Sequence, residues 1–302
     1  MFEVIVPATS ANLGAGFDCL GLALSLYNRL RVSPAARLTI QIVGEGMGEL
    51  PEGGESLVWR SACRLFRHLG VNPPPVQIRM QNAIPLSRGL GSSSAAIVGG
   101  LLLANHLTGE RLDRAQLLAL ATELEGHPDN VAPAIFGGLT VSAHAGAQVE
   151  SLCYPFPAEL QLVVCIPRFQ LSTKLARQVL PATVAHADAV FNLSRAALLL
   201  AALHQRRFDL LGLCTADRLH QPHRLGLIPG GEAALLAAQQ AGAAAATISG
   251  AGPTMLAIIP PAASSAAVGE AMVAAFAEAG VEARQLGLKI DQRGARVAAI
   301  DG

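Results

Sequence analysis

Apolar positions in the first half of the chain alternate between strand-like and helix-like spacing. In Ser56–Leu69 they fall on one face of a helix, and Gly70 follows as a stop signal. Asp113 is an expected N-cap with Gln116 as its capping-box partner, opening a helix that runs to about Glu125. Short apolar runs predict five strands, the first of which should stop at Pro7: Phe2–Val6, Leu22–Val32, Leu38–Val43, Val76–Met80 and Phe136–Ala143.

The second half of the chain shows the same mixture. Ser172 and Thr173 can cap a helix that closes before Pro181. The other predicted elements are strands at Gln161–Ile166, Ala246–Ser249 and Met255–Ile259 and helices at 189–204, 232–241 and Ser264–Ala279. The pattern predicts an α+β protein of two domains sharing a cleft, residues 1–155 and 156–302.

Composition narrows the class of protein. Of 302 residues, 51% are hydrophobic and 15% charged, and the formal net charge is zero. This predicts a packed core rather than disorder, and no general attraction to nucleic acid or to an anionic membrane. The apolar runs are too short to span a bilayer, and no signal peptide is apparent. Five cysteines, an odd number without a C-x-x-C pair, favour a reduced, cytoplasmic protein.

The strongest local signal is a glycine- and serine-rich loop that follows a strand and precedes an apolar helix from about Ser93 to His106. Glycines allow close backbone approach, and free N–H groups at a helix start favour an anion. A Walker A motif and a dinucleotide fingerprint are both excluded in their usual form. The alternative is a turn that only caps a buried helix. The residues expected to hold nucleotide phosphates are Pro85, Leu86, Ser87, Arg88, Gly89, Leu90, Gly91, Ser92, Ser93, Ser94 and Ala95.

Three segments together resemble the motifs of the GHMP small-molecule kinases. They are Pro7–Asp18 (PATSANLGAGFD), Pro85–Ala96 (PLSRGLGSSSAA) and Ile248–Thr254 (ISGAGPT). Their order and wide spacing match that family from end to end. The resemblance implies a left-handed βαβ N-terminal domain and a ferredoxin-like C-terminal domain, with ATP and an acceptor bound between them.

Three further segments are similar to the branch of the family that phosphorylates the amino acid homoserine in threonine biosynthesis. They are Glu125–Ala134 (EGHPDNVAPA), Ser172–Arg177 (STKLAR) and Asp217–Arg224 (DRLHQPHR). The resemblance implies ATP and Mg²⁺ as cofactors and a homodimer. It assigns to the acceptor pocket Asn12, Asp18, His127, Asn130, Arg177 and Arg224.

Homoserine is a zwitterion with a free hydroxyl, and the assigned residues suit that chemistry. Arg177 and Arg224 could hold the carboxylate, and Asp18 the ammonium group. Thr173 lies four positions before Arg177, hence on the same face of a predicted helix. Taken singly, Asn12 and Asp18 could instead stabilise a turn, and the arginines could be surface charges.

The resemblance also implies that Glu125 and Ser93 bind Mg²⁺. Glu123 is an alternative, since it is only two positions away. Some relatives use an aspartate matching Asp129 as a base, paired with a lysine in the first motif. No lysine is present there. We therefore expect Asn130 and Thr173 to orient the hydroxyl, with Asp129 mainly structural.

Several alternatives stay open at this stage. Arg88 is a further candidate for neutralising phosphate. His220 and His223 have no acidic or cysteine partner at metal-site spacing, which argues against a metal there. The rival functions are a mevalonate- or sugar-type kinase of the same family and a non-catalytic binding protein with the same fold.

Overall fold

The computed structural model describes residues 1–146 and 148–300, which form an α+β protein with two sheets. The strands of the described residues are β1 Phe2–Ala11, β2 Leu20–Pro34, β3 Thr39–Gly44, β4 Val76–Asn82, β5 Leu139–Ala145, β6 Gln148–Tyr154, β7 Gln161–Pro167, β8 Ala245–Ile248, β9 Met255–Ile259, β10 Ala283–Leu288 and β11 Arg296–Ala299. The helices are α1 Leu57–His68, α2 Ser92–Leu107, α3 Arg114–Glu125, α4 Pro128–Phe136, α5 Thr173–Gln178, α6 His186–His204, α7 Leu211–Cys214, α8 Gln221–Leu225, α9 Gly231–Gln240 and α10 Ser265–Glu278.

The larger sheet contains β11, β1, β2, β4 and β3 in that order, with β5 and β6 attached to β2. Strands β3 and β4 are parallel and joined through α1, which makes this a βαβ unit. All ten residues of β1 are buried. Helix α2 is buried around most of its circumference, in accord with its unbroken apolar sequence. This packing holds the start of α2 beside β1.

The smaller sheet has the strand order β10-β7-β9-β8, and every pair is antiparallel. Along the chain, β7, helices, β8, β9, α10 and β10 follow the βαββαβ pattern of a ferredoxin-like fold. The main apolar core includes residues of both sheets, among them Leu162, Val164 and Leu256 of the smaller one. The two layers therefore share this core, and the other face of the smaller sheet packs in a second apolar cluster that includes Val163, Met255 and Met272.

The C-terminal strand β11 returns to the larger sheet and pairs with β1. The proposed division between residues 155 and 156 falls in the connection from β6 to β7 and stays a prediction. Within the described residues, no helix combines the length and apolar character needed to cross a membrane.

Two sequence-based element predictions were wrong. Strand β1 does not stop at Pro7 but continues to Ala11, because a register shift against β2 between Pro7 and Ala8 absorbs the irregularity. Strand β5 begins at Leu139 rather than Phe136, because α4 occupies the preceding residues. That helix was not predicted. Pro128 stands at its first position, where proline is tolerated.

Candidate active site

The three glycine-rich segments meet at the floor of a cleft of about 480 Å³. The Thr9 amide donates to the Leu90 carbonyl at 3.1 Å, and the Gly250 amide donates to Ala11 at 3.1 Å. The Ser249 hydroxyl lies 2.6 Å from the Gly89 carbonyl oxygen and 2.8 Å from the Ser10 hydroxyl. Segments up to about 240 positions apart thus form one hydrogen-bonded floor, which the sequence spacing alone cannot show.

The glycine- and serine-rich loop leads directly into the N-terminus of α2. Gly91 is the N-cap with φ 70°, and no side chain caps the first turn. A Cβ on Gly91 would lie 2.0 Å from Thr9 Oγ1, so this position accepts only glycine without displacement. The uncapped N–H groups and the helix dipole suit an anion in the cleft.

The eleven loop residues divide into two groups. Those that line the cleft are Leu86, Ser87, Arg88, Gly89, Gly91, Ser92 and Ser93. Buried residues behind the loop are Pro85, Leu90, Ser94 and Ala95. The second group supports the loop from below.

Arg88 uses its guanidinium to anchor the loop. It donates to the carbonyl oxygens of Pro167 at 3.1 Å and Leu86 at 3.0 Å, and also to that of Arg168. These bonds tie the loop to the end of β7. Because carbonyl oxygens leave the positive charge of Arg88 uncompensated, its role in neutralising a phosphate stays a prediction.

Glu125 stands at the end of α3, opposite the start of α2. One of its carboxylate oxygens accepts from Ser93 Oγ at 2.5 Å and the other from Ser94 Oγ at 2.7 Å. Glu123 points elsewhere and forms an exposed ion pair with Arg64 at 2.8 Å. Of the two candidate glutamates, only Glu125 lines the cleft.

His127, Asp129 and Asn130 form the wall next to Glu125. His127 Nδ1 lies 2.5 Å from Asp129 Oδ1, and Asp129 is buried. Burial acts to lower the pKa of His127, but the hydrogen bond to Asp129 and the charges of Asp129 and Glu125 outweigh it and raise that pKa. Asn130 accepts from Thr9 Oγ1 at 2.7 Å through Oδ1, which fixes the orientation of its amide.

Asp18 and Arg177 pair with each other across the cleft. The guanidinium donates to both carboxylate oxygens, at 2.7 and 3.0 Å, and this raises the pKa of Arg177. Asn12 stands beside them with φ 73°; its Oδ1 accepts from the Asp18 amide and its Nδ2 donates to Gly250. The cleft thus already holds a cation and an anion at one end.

Arg224, in α8, is only 2% exposed, yet its hydrogen-bond partners among the described residues are all uncharged. Nε donates to the Ala176 carbonyl at 3.2 Å, and Nη1 to the Gly250 carbonyl at 2.9 Å and His220 Nδ1 at 3.3 Å. Burial, and next the charge of Arg177, lower the pKa of Arg224 to about 10. It is therefore still a cation at neutral pH, and it also lines the cleft.

Thr173 is the first residue of α5 and lines the same end of the cleft as Arg177. The Ser172 hydroxyl accepts from the Leu175 amide and caps this helix, as the sequence predicted. The cleft thus brings together all the residues assigned to the acceptor pocket, together with Glu125, Asp129 and Thr173.

Sequence reasoning missed other parts of the site. The Gly250 carbonyl joins Asn12 to Arg224, and Phe17 lies beneath both arginine side chains. The apolar end of the cleft is lined by Ile42, Leu50, Pro51, Leu57, Val58, Met80, Leu86 and Ala96, with Glu49 and Glu55 beside them. These residues come from separate elements with no shared local signal, so only the fold could reveal them.

Comparisons with known proteins agree with this geometry. Residues 56–138 match the GHMP kinases N terminal domain, and residues 199–278 match the GHMP kinases C terminal family. A homoserine kinase from Symbiobacterium thermophilum is 49% identical over 98% of this chain and 94% of its own. One from Moorella thermoacetica is 52% identical over 75% of this chain and 77% of its own.

Solved structures show the same fold. A homoserine kinase from Cytophaga hutchinsonii superposes with a TM-score of 0.87 at 31% identity, over 98% of this chain and 97% of that one. An L. major mevalonate kinase, at 16% identity and a TM-score of 0.71 over 96% of both chains, shares the fold alone.

The chain therefore belongs to the GHMP kinases, an enzyme family of phosphotransferases. The expected two-domain α+β fold is confirmed. Within that family, its identity to relatives over nearly its whole length places it among the homoserine kinases.

Proposed function

We propose that this chain transfers the γ-phosphoryl group of Mg²⁺-ATP to the side-chain hydroxyl of L-homoserine, with the residues of the cleft in the roles described below. The observation that carries the acceptor assignment is the buried Arg224 cation, which has only neutral hydrogen-bond partners. Asp18, Asp129 and Asp217 attract this charge, but none of them is hydrogen-bonded to it, and a buried charge without a directly bonded counter-ion is costly. A bound carboxylate relieves that cost, so Arg224 selects an acceptor that carries one.

The Asp18–Arg177 pair binds the rest of the zwitterion. The ammonium group of homoserine approaches Asp18, and its carboxylate is shared between Arg177 and Arg224. Each charge of the ligand thus replaces a partner that the free site already supplies. A sugar brings no carboxylate to Arg224, and mevalonate brings no ammonium group to Asp18, so an amino acid is the acceptor that uses both ends of this charge arrangement.

The loop and α2 hold the phosphates through the backbone N–H groups from Gly89 to Ser94. Glu125 and Ser93 present only oxygen atoms to the cleft, which are the ligands that Mg²⁺ prefers, so these residues fit the ion, and the buried Ser94 hydroxyl holds the Glu125 carboxylate in place. When bound, Mg²⁺ supplies positive charge to the phosphate oxygens. The apolar end of the cleft receives the nucleotide base.

Asn130 and Thr173 orient the acceptor hydroxyl, and Asp129 is mainly structural. Asp129 is committed to His127, and a loose transition state for phosphoryl transfer needs little help from a base. Asp129→Asn should therefore raise the KM for homoserine while leaving kcat within about tenfold, less than the loss typical of a general base. Steady-state kinetics with a folding control tests this. Abolished turnover with unchanged affinities would identify Asp129 as the base instead.

A coupled assay of ADP release tests the substrate. Homoserine should support turnover far above that with mevalonate, galactose or shikimate, and only with Mg²⁺ present. A preference for mevalonate or galactose would transfer the proposal to that class of kinase. Tight ATP binding without turnover on any acceptor would favour a non-catalytic protein of the same fold.

The proposal also includes a homodimer working in the cytoplasm on the route to threonine. The free state of all five cysteines supports a reducing compartment. Several apolar side chains on α6 are exposed, including Val190 and Leu193. Sedimentation should give a mass near twice the 31.2 kDa of the chain, and a single-chain mass would contradict the dimer.

A further inference from the structure

His220 lies at the start of α8, completely buried, and joins two parts of the acceptor site. Its Nε2 lies 2.9 Å from the Gly14 carbonyl, in the loop that carries Asn12 and Asp18. Its Nδ1 lies 3.3 Å from Arg224 Nη1. The ring also stacks on Phe17, with centroids 5.0 Å apart and an angle of 21°. The mechanism described above makes no use of this histidine.

Only one protonation state of His220 satisfies both contacts. A carbonyl oxygen can only accept, so Nε2 must carry the hydrogen toward Gly14. A guanidinium can only donate, so Nδ1 must present its lone pair to Arg224. The ring is therefore the neutral Nε2–H tautomer. Burial first, with the charge of Arg224 acting the same way, lowers the pKa of His220, although Asp217, the Gly14 bond and Asp18 act against it.

The backbone around His220 is held by Asp217. This buried carboxylate accepts from the amides of Leu219, His220 and Gln221 and from Asn192 Nδ2. It lies 3.6 Å from His220 Nε2, beyond hydrogen-bonding distance. The imidazole thus has a fixed position and a fixed tautomer before any ligand arrives.

The fixed imidazole determines which nitrogens of Arg224 remain free for a ligand. Ala176, Gly250 and His220 engage Nε and Nη1, whereas Nη2 has no hydrogen-bond partner among the described residues. A carboxylate at position 220 would neutralise the guanidinium and compete with the ligand. A neutral hydrogen-bond acceptor such as His220 Nδ1 fixes the orientation of the Arg224 guanidinium and leaves its positive charge available to the ligand.

We infer that His220 is a positioning residue that turns the Arg224 guanidinium toward the carboxylate of the acceptor. The inference rests on the proposed function, because it needs an acceptor with a carboxylate. It adds to that function a residue that determines specificity without touching the substrate.

Two substitutions separate the two contacts of His220. In His220→Asn, the amide oxygen is as many bonds from Cα as Nδ1 and can still accept from Arg224. In His220→Gln, the amide nitrogen is as many bonds from Cα as Nε2 and can still donate to Gly14. Each variant is the control for the other.

We expect His220→Gln to raise the KM for homoserine about tenfold, the loss typical of one hydrogen bond to a charged group. Its kcat and its KM for ATP should stay within about threefold, and His220→Asn should retain most of the affinity for homoserine. With 3-amino-1-propanol, which lacks the carboxylate, His220→Gln and the wild type should have the same kcat/KM. A merely structural role would lower kcat/KM for both acceptors.

The outcomes are distinguishable from failure of the proposed function. If the wild type does not phosphorylate homoserine, the function itself is wrong. If the wild type is active but the two variants are equally impaired, or the defect persists with 3-amino-1-propanol, the positioning role is wrong. Should a variant not fold, ¹⁵N NMR of histidine-labelled wild type still decides. A protonated Nδ1 in His220 would overturn the inference, and a bare Nδ1 with protonated Nε2 supports it.

Discussion

At the scale of single residues, the two arginines of the acceptor pocket differ in the groups that compensate their charges. Arg177 has a bidentate carboxylate partner in the free protein, whereas Arg224 has carbonyls and an imidazole. Arg177 can therefore exchange Asp18 for the carboxylate of a ligand, whereas Arg224 keeps its protein contacts when a ligand binds. The two glutamates near the glycine- and serine-rich loop also differ in their partners. Glu125 bonds to serines in the cleft, and Glu123 pairs with Arg64 on the surface.

The glutamate pair gives a matched test of the metal assignment. Glu125→Gln should lower kcat by about a hundredfold or more and raise the Mg²⁺ concentration needed for half-maximal rate, because it removes a charged ligand. Glu123→Gln is the control, since it loses only an exposed ion pair with Arg64, which contributes little. Magnesium titrations of both variants provide the measurement. Equal loss in the two variants would contradict the role of Glu125.

Asp217 should contribute to stability in a pH-dependent way. Burial raises its pKa, but the hydrogen bonds that it accepts from Asn192 and from backbone amides act the other way, and the pKa lies below its ordinary value of 3.8. The unfolded state therefore takes up the proton first as the pH falls. The stabilisation is complete above that ordinary value and is lost as the pH falls through the lower, folded-state value.

Urea unfolding between about pH 2 and 5 measures this contribution. Asp217→Asn should flatten the loss of unfolding free energy at the acid end. The control is Asp113→Asn, which alters an exposed cap whose side chain accepts from the Gln116 amide. If the unfolding free energy falls equally steeply with decreasing pH in the wild type and in Asp217→Asn, another group controls the acid sensitivity.

At the scale of secondary-structure elements, the start of α2 connects the loop to the rest of the site. Gly91 allows Thr9 to approach, and Thr9 in turn orients Asn130. The helix is secured by burial along its length, so its N-terminus has a fixed position at the cleft. The absence of a side-chain cap among the described residues leaves these amides to a ligand.

Gly91→Ala should destabilise the protein by about 2 kcal/mol, because a left-handed conformation costs 1–2 kcal/mol for a residue with a side chain and the new Cβ displaces Thr9. It should also weaken ATP binding. Gly54→Ala is the control, since no atom lies within 4 Å of the added Cβ. Denaturant unfolding and nucleotide titration measure both effects. Equal stability of the two variants would contradict the close contact at Gly91.

At the scale of the whole molecule, the site belongs to neither sheet alone. Gly250 and Ser249 follow β8 of the smaller sheet, yet they form hydrogen bonds with β1 and with the glycine- and serine-rich loop. After the smaller sheet, the chain returns to the larger sheet, where β11 pairs with β1. We expect the two layers to unfold together, because they share a core as well as the floor of the cleft.

Ligands should therefore shift one thermal transition. At a hundredfold excess over Kd, a ligand specific for the folded state stabilises it by about 2.7 kcal/mol. A nonhydrolysable ATP analogue with Mg²⁺ and homoserine should each raise the melting temperature by several degrees. Arg224→Met should lose the homoserine shift and keep the nucleotide shift. Two separate transitions, only one of them shifted, would contradict the shared unfolding.

The sequence by itself determined the fold class, most elements and the identity of the chemical groups. Helical spacing located α1, and Asp113 with Gln116 located the start of α3, because these signals involve neighbouring residues. The glycine-rich segments indicated phosphate binding, because close backbone approach requires residues without a side chain. Local patterns failed at β1, where Pro7 was expected to end the strand, and they left α4, β6, β10 and β11 unpredicted.

Only the tertiary structure decided how those groups are paired. The bond between Asp18 and Arg177, the anchoring of the phosphate loop by Arg88 and the contact of His220 with Arg224 join residues that no local pattern connects. The choice of Glu125 over Glu123 depends on which way each side chain leaves α3. Long-range packing sets such pairings, because burial and hydrogen-bond geometry depend on every element that reaches the cleft.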